Sequence, residues 1–566
     1  MGKFGIILTF TIIFNLFSSD VSSIVLEDPS FRVTRLGGEN RVLTSVNVSQ
    51  SIFKESKTVI LVGYKGEIDA LGGTLLAGKL DAPIIITEKE KLSAKVKEEI
   101  ERLGARDIII LGGKRSVSEN VEKDLKVNNY NVERIDGFDR EETAVKTAKK
   151  AVGETIEEVF LSLGYGVYAD ALSIGPVTSS LNKPLLLAGR GALSPTTIKA
   201  LKDMQVKRVT IVGGQAVVSK SIEDTIRSMN IAVDRIYGKN REETSVKIAE
   251  RYIKKPASIV VANGYVFPDS VIGGYYAYKK DAPIILTRGD KLSDDSFKYV
   301  NRTRQNTVIL GLYSAVGKKV EWDLNIILKT DKFRKQFFLL PKSEGYDKLE
   351  ASMMMDRVMN INPKTISNIY SGGVRMKFSK GPITDEPEYA SLKGKVPRGW
   401  EGLGKTWDDV PGAGGTETPI ARIGYSDPGD HTGHNSINLE LHELAHSIDN
   451  FISGTYSGEQ ISSSTRFKKI WKEEVRIILP DSYYIDYSEE YFAEVFAMYY
   501  LNPASNTKLL KKAPKTYAFI KSLDSLNLDK ILSFAEKVEV LKLGSTNFLG
   551  KIGLENIIMQ EERYGL

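Results

Sequence analysis

The sequence predicts a multi-domain chain: three α/β repeats, each with a parallel sheet, followed by an α+β domain of different composition. Three observations predict it. The chain has 566 residues, too many for one ordinary domain. Residues 31 to about 325 repeat themselves with a period near 100. Beyond them the repeat stops, and all four histidines crowd between His431 and His446.

In chain order, Lys3 and the apolar run Phe4 to Phe17 come first, followed by the small residues of Val21-Ser22-Ser23. This pattern predicts a signal peptide over residues 1–23, because the run is shorter than the ~20 residues of a membrane span. No second membrane segment is expected in the mature chain. A hydrophobic fraction of 42% and a charged fraction of 27% are those of a soluble globular protein. The net charge of +6 is small for this length. It gives no nucleic-acid signal but suits an anionic surface polymer. Cysteine is absent, which excludes disulfides, a cysteine nucleophile and thiolate metal sites.

The repeats are read from matching positions. Arg35-Leu36-Gly37-Gly38 returns as Arg134-Ile135-Asp136-Gly137 and as Arg235-Ile236-Tyr237-Gly238. Arg41, Arg140 and Arg241 are spaced by 99 and 101 residues. Gly63-Tyr64 with Asp69 matches Gly164-Tyr165 with Asp170, and Gly264-Tyr265 with Asp269. Pro83, Pro184 and Pro283 each open an apolar strand. In the first copy, Val59–Val62, Ile84–Ile86 and Ile108–Leu111 read as buried strands, and Leu92–Leu103 as an amphipathic helix. Strand–helix–strand alternation implies a parallel sheet with helices on it.

These copies resemble the cell-wall-binding repeat type 2 family of Gram-positive surface proteins. The resemblance rests on the Arg-x-x-Gly start, the Asp-Ala steps at Asp69-Ala70 and Asp170-Ala171, and Gly112-Gly113 and Gly213-Gly214. It implies three units, 31–128, 129–229 and 230–325, around a pseudo-threefold axis, binding an anionic wall polymer. The third copy departs, with Ser270 and Gly311-Leu312 at the matching places.

After the repeats, Tyr346–Met359 reads as a helix. Gly399–Thr406 fits the phosphate-loop pattern G-x-x-x-x-G-K-[ST], but no buried strand precedes it and Pro411 and Gly412 break any helix after it. The stretch is read instead as a loop over a cleft, with Trp400 and Trp407 as contact surface. Ile420–Tyr425 alternates like a strand edge, to which an extended peptide could add as a further strand.

His442-Glu443-Leu444-Ala445-His446 fits H-E-x-x-H, a zinc-protease signature on a helix. Residues i and i+4 share a helix face, so two imidazoles can meet one ion, with Glu443 beside them. Ile437, Leu441, Leu444, Ala445 and Ile448 form the buried stripe. A catalytic site needs a third protein ligand. Without another suitable histidine a carboxylate is expected, from Glu459, Glu473, Glu474, Glu489, Glu490 or Glu494. The segment Ser488–Tyr500 is apolar apart from such carboxylates. Buried carboxylates cost several kcal/mol unless a cation or hydrogen bonds meet them. Zinc facing Glu490, with Glu494 supporting a ligand histidine, resolves that cost.

At these helices the resemblance becomes specific. Trp400–Val410, Asn438–Asp449 and Glu489–Phe496, with Lys393-Gly394 and Pro514–Tyr517, look like the Pro-Pro endopeptidases, secreted zinc proteases related to the catalytic domain of lethal-factor toxins. The resemblance implies a zincin-type domain over 330–530, followed by a C-terminal extension, 531–566, of unknown role. It implies one zinc per chain on His442, His446 and Glu490, with Glu443 as general base. Tyr483, seven residues before Glu490, becomes the tyrosine that stabilises the transition state. Trp400, His434 and Glu489 become cleft residues, and Arg398 stands where the family often has lysine. The implied partner is a proline-rich peptide or protein. Two alternatives stay open: a structural wall protein with an inactive protease-like domain, and a zinc protease of other specificity.

Overall fold

A computed structural model describes residues 31–524 apart from 65, 167, 267–271, 398–399, 430–431 and 457–459. The expected signal peptide, Asp269 and Ser270 of the third copy, Arg398, Glu459 and the extension 531–566 lie outside the described residues. No helix among the described residues is long and apolar enough to cross a membrane.

The repeats form three four-stranded parallel sheets. One strand, β1 (Val33–Leu36), precedes the first complete sheet. That sheet contains β2 (Thr58–Gly63), β3 (Ile84–Thr87), β4 (Asp107–Leu111) and β5 (Asn131–Ile135), in the order β3-β2-β4-β5. The second holds β6 (Glu158–Leu163), β7 (Leu185–Ala188), β8 (Arg208–Val212) and β9 (Ala232–Ile236), in the equivalent order. The third uses β10 (Ile259–Asn263), β11 (Ile284–Thr287) and β12 (Thr307–Leu310), and its fourth strand is β1. The strands expected from the apolar runs are present. The expected helix starts at Ala94 rather than Leu92, because Ser93 caps it by accepting from the Val96 amide.

Sheet closure shifts the boundaries read from the sequence period. The divisions at 128/129 and 229/230 each fall before a strand, β5 or β9, that pairs back onto the sheet just completed. Each sheet therefore ends at Ile135 or Ile236, and the ring closes through β1 on β12. Arg35, within β1, reinforces that closure with an ion pair to Glu321 at 3.0 Å.

Three helices meet at the centre: α1 (Glu67–Leu80), α2 (Ala169–Leu181) and α3 (Gly273–Lys279). They lack an amphipathic pattern because they are covered on all sides up to their last turns, as an interior helix must be. Glycine lets them approach. A Cβ at Gly274 would stand 2.8 Å from Thr74 Oγ1, and one at Gly175 would stand 3.1 Å from the Gly274 Cα. The Ser179 hydroxyl also donates to the Thr74 carbonyl at 3.0 Å.

A second core begins beyond α4 (Lys318–Ile327). The expected helix is α5 (Lys348–Val358), followed by α6 (Pro363–Ser371). Ser367 of α6 donates to Asp323 of α4 at 2.6 Å, and the Trp322 and Tyr370 rings lie 5.5 Å apart. These contacts seat the second core on the ring. Its small sheet contains β13 (Phe338–Leu339), β14 (Met376–Ser379), β15 (Gly412–Ala413) and β16 (Ile420–Arg422), in the order β13-β14-β16-β15.

This order corrects the expected edge. Ile420–Arg422 lies between two strands, parallel to β14 and antiparallel to β15. The open edge is Gly412–Ala413, too short and glycine-rich to read as a strand from its own residues. Against the sheet packs α7 (Leu439–Tyr456); α10 (Ser488–Leu501) lies along α7, and α8 (Thr465–Ile478), the short α9 (Ser482–Asp486) and α11 (Pro514–Leu523) pack on α10. Leu441, Leu444, Ala445 and Ile448 of α7 share one buried cluster with Phe492, Val495 and Phe496 of α10. That packing brings the histidine helix and the carboxylate helix side by side.

Candidate active site

The N-terminus of α7 is held from two directions. The Asn438 side chain accepts from the Leu441 amide at 3.1 Å, the local satisfaction that a first helical turn requires. Glu440, fully buried on the first turn, pairs with Arg357 of α5. One face of the helix then enters a cleft of about 630 Å³.

On that face three donor atoms converge. His442 Nε2 lies 3.3 Å from Glu490 Oε2 and 3.2 Å from His446 Nε2. His446 Nε2 lies 3.5 Å from the same Glu490 oxygen. Zinc bonds of about 2.0–2.2 Å at tetrahedral angles place donors about 3.3–3.5 Å apart. The triangle has that size and its donor set is the kind zinc takes, so these residues fit the ion.

The surroundings complete the fit. Glu494 lies one turn beyond Glu490 on α10. One of its oxygens stands 3.2 Å from His442 Nδ1, and the other accepts from the Ile437 amide at 2.9 Å. With Nδ1–H donated to Glu494, His442 Nε2 is the ring atom that faces the centre, as metal ligation requires. Burial opposes a charged His442, yet hydrogen bonds to Glu490 and Glu494 outweigh it and raise the imidazole to about 10. Burial likewise opposes a charged Glu490, but the two histidines hold its carboxyl well below the usual carboxylate range. The pocket thus favours positive charge at the point where its donors meet.

Glu443 borders the triangle. Burial raises its carboxyl above the ordinary value, against the opposing pull of His442 and His446. The open strand lies directly over it: a Cβ at Gly412 would stand 2.9 Å from Glu443 Cγ, and one at Gly414 would stand 2.1 Å from the Glu443 carbonyl oxygen. Only glycine permits that approach.

The opposite wall comes from α9. Asp481 caps it by accepting from the Tyr483 amide at 2.8 Å, and the Trp471 indole donates to the Tyr484 carbonyl at 2.9 Å. Tyr483 is 44% exposed and lines the cleft. Tyr484 lines it too but is buried, and burial followed by the charges of Glu494 and Glu490 pushes its phenol far up. Trp400, His434 and Glu489 line the same cleft. His434 Nε2 donates to the Tyr425 carbonyl at 2.6 Å, and burial above all lowers its pKa, which leaves a neutral ring. Trp407 is both cleft wall and packing, because it rests against the small core of Ile383, Tyr389, Ala413 and Ile420.

Tyr484, Asn450 and Gln460 are lining residues that the sequence reading did not single out. Asn450 carried a signal, since it stands four residues after His446 on the same helical face. Gln460 had none.

Comparison with known proteins follows this division. Residues 35–122, 134–223 and 235–321 match the family described as cell wall binding domain 2. Residues 327–523 match anthrax toxin lethal factor, N- and C-terminal domain. A Pro-Pro endopeptidase of Clostridioides difficile is 44% identical over 212 residues, covering 38% of this chain and 92% of that protein. The chain belongs to the Pro-Pro endopeptidase family. A second Pro-Pro endopeptidase, of Paenibacillus alvei, is 42% identical over 187 residues, 33% of this chain and 82% of that protein. Among solved structures, Cwp8 from Clostridium difficile aligns at 29% identity and a TM-score of 0.48, over 53% of this chain and 52% of that one. Before its peptidase-like region this member of the family carries three units that match cell wall binding domain 2.

Proposed function

We propose that the chain is a secreted zinc endopeptidase that its repeats anchor to the cell wall of a Gram-positive bacterium. It cuts proline-rich surface or secreted proteins at Pro-Pro bonds. The observation that carries this reading is the triangle of His442, His446 and Glu490 donors, 3.2–3.5 Å apart, with Glu443 beside it.

His442, His446 and Glu490 would hold one zinc ion, which supplies Lewis acidity to the scissile carbonyl and acidity to a water. Glu443 takes the proton of the attacking water and passes it to the leaving amine. Its upward shift brings its basicity closer to that task. Glu494 keeps His442 in the ligating tautomer. Tyr483 donates a hydrogen bond to the oxyanion as it develops. Trp400, His434 and Glu489 orient the substrate, with Arg398, two residues before Trp400 in the sequence, as a positive group. A Pro-Pro segment lacks two backbone N–H groups, so it suits a cleft that makes few demands for donors there.

The test is cleavage of a peptide with an internal Pro-Pro beside a control with one proline replaced by alanine. The first should be cut and the control should not; equal rates refute the specificity. Metal analysis should find one zinc in the chain and none in His446→Ala. A full equivalent in the variant refutes the ligand set.

A further inference from the structure

The open edge, β15 and the two residues after it, crosses the cleft beside Glu443 and His446. Little in its own sequence holds it there. It pairs through two residues only, and Gly415 turns with φ at +77°. On its far side the Tyr389 hydroxyl, buried under the loop, lies 2.9 Å from the Thr418 carbonyl, 3.2 Å from the Ala413 carbonyl of β15 itself and 3.0 Å from Thr416 Oγ1. On its near side a side chain of the histidine helix also donates to it. Asn450 Nδ2 donates to the Gly415 carbonyl at 2.8 Å.

Asn450 is itself held. Its Oδ1 accepts from Gln460 Nε2 at 2.6 Å. The segment carrying Gln460 is tied to the same helix, where Asp449 accepts from the Ser462 amide at 2.9 Å and the Ser462 hydroxyl at 2.6 Å. Two of its neighbours constrain the chemistry at 450: the Gly415 carbonyl needs a donor, and the Gln460 amide needs an acceptor. An amide side chain meets both; a carboxylate of the same shape meets only the second and repels the first.

We propose that Asn450 is a positioning residue that sets the distance of the substrate-binding edge from Glu443 and the ligand histidines. The inference rests on the peptidase reading above. A substrate lacking N–H groups at two adjacent positions forms fewer ladder bonds and cannot pull the edge into place itself. The edge must be held before the substrate arrives, and Asn450 does so from the helix that carries the chemistry. The cost of losing it appears in substrate alignment and not in metal binding.

The test uses the full chain with Asn450→Asp and, separately, Gln460→Ala. Hydrogen exchange at the amides of residues 412–416 should quicken about five- to tenfold in Asn450→Asp, the loss expected for one hydrogen bond. KM for the Pro-Pro peptide should rise about tenfold while kcat stays within about twofold and zinc content is unchanged. Unchanged exchange overturns the proposal, and so does a fall in kcat at constant KM. Gln460→Ala, an exposed substitution, should shift exchange and KM in the same direction by less; it decides the matter if Asn450→Asp fails to fold. If the wild-type chain cuts no Pro-Pro peptide, the specificity reading falls, and the exchange rates alone support or overturn the role of Asn450.

Discussion

On the proposed mechanism, Glu443 and Tyr483 are the residues at which chemistry can be separated from scaffold. Glu443 is not among the three converging donors, so Glu443→Gln should keep its zinc and its fold yet lose nearly all peptidase activity. Tyr483→Phe keeps an aromatic ring that packs 5.7 Å from Tyr484 and 5.6 Å from Tyr487 and deletes only the hydroxyl. If that hydroxyl meets the oxyanion, kcat should fall by about 10²–10³ with KM little changed. Single-turnover kinetics and metal analysis check both variants. The residues of this triangle were legible because H-E-x-x-H is local, and because Glu490 and Glu494, one turn apart among the buried aromatics of a single helix, call for a cation. Tyr484 was not legible. Whether the exposed or the buried member of adjacent tyrosines meets the substrate depends on how Trp471 holds α9, and that is a contact between distant residues.

At the scale of elements, strand β15 shows where sequence reading stops. Helices announced themselves through periodicity, as along Leu92–Leu103 and Ser488–Tyr500, although the cap at Ser93 that sets the start of the first was missed. A two-residue strand has no period, and its place is decided by partners: β16 on one side and the Glu443 backbone beneath. Gly414→Ala should therefore be costly. Its Cβ would stand 2.1 Å from the Glu443 carbonyl oxygen and 2.9 Å from His446 Cβ, inside a helix that cannot recede. Thermal melting should show a loss of about 1–3 kcal/mol, the usual cost of overpacking, with kcat/KM falling as the edge is displaced. Gly381→Ala is the control, since its Cβ meets nothing closer than Asp385 Oδ2 at 3.8 Å.

The units of the ring carry a pH dependence of their own. Asp69 and Asp170 lie in the first turns of α1 and α2, and burial raises each from 3.8 to about 6, against the pull of Arg140 on the first and of Thr244 and Arg241 on the second. Folded values above the unfolded one mean that the folded ring binds the proton more tightly. The stability they contribute is full below about pH 4 and is lost as pH rises through about 6. Calorimetry from about pH 4 to about pH 7 should find a falling melting temperature. Asp69→Asn and Asp170→Asn, neutral at every pH, should flatten that slope.

The whole molecule depends on a closure that the period of the repeat concealed. A period of about 100 residues says that three copies exist but not where a sheet ends, because a circularly shifted unit has the same period. The structure places β1 beside β12, far away in sequence, so the first strand of the ring completes its last sheet. A fragment that keeps the ring closed must therefore begin before Val33. A fragment of residues 24–325 should bind purified anionic wall polymer, with affinity falling as salt rises, because exposed charges are screened over about 8–10 Å near physiological ionic strength. Residues 330–566 alone should not bind it. A fragment starting at Arg41 keeps every residue of the second sheet but bares β12 and removes Arg35 from Glu321. It should melt lower and, if binding needs all three units arranged around α1, α2 and α3, lose affinity as well. If it binds as tightly as the longer fragment, closure serves stability alone and a single unit suffices for the polymer.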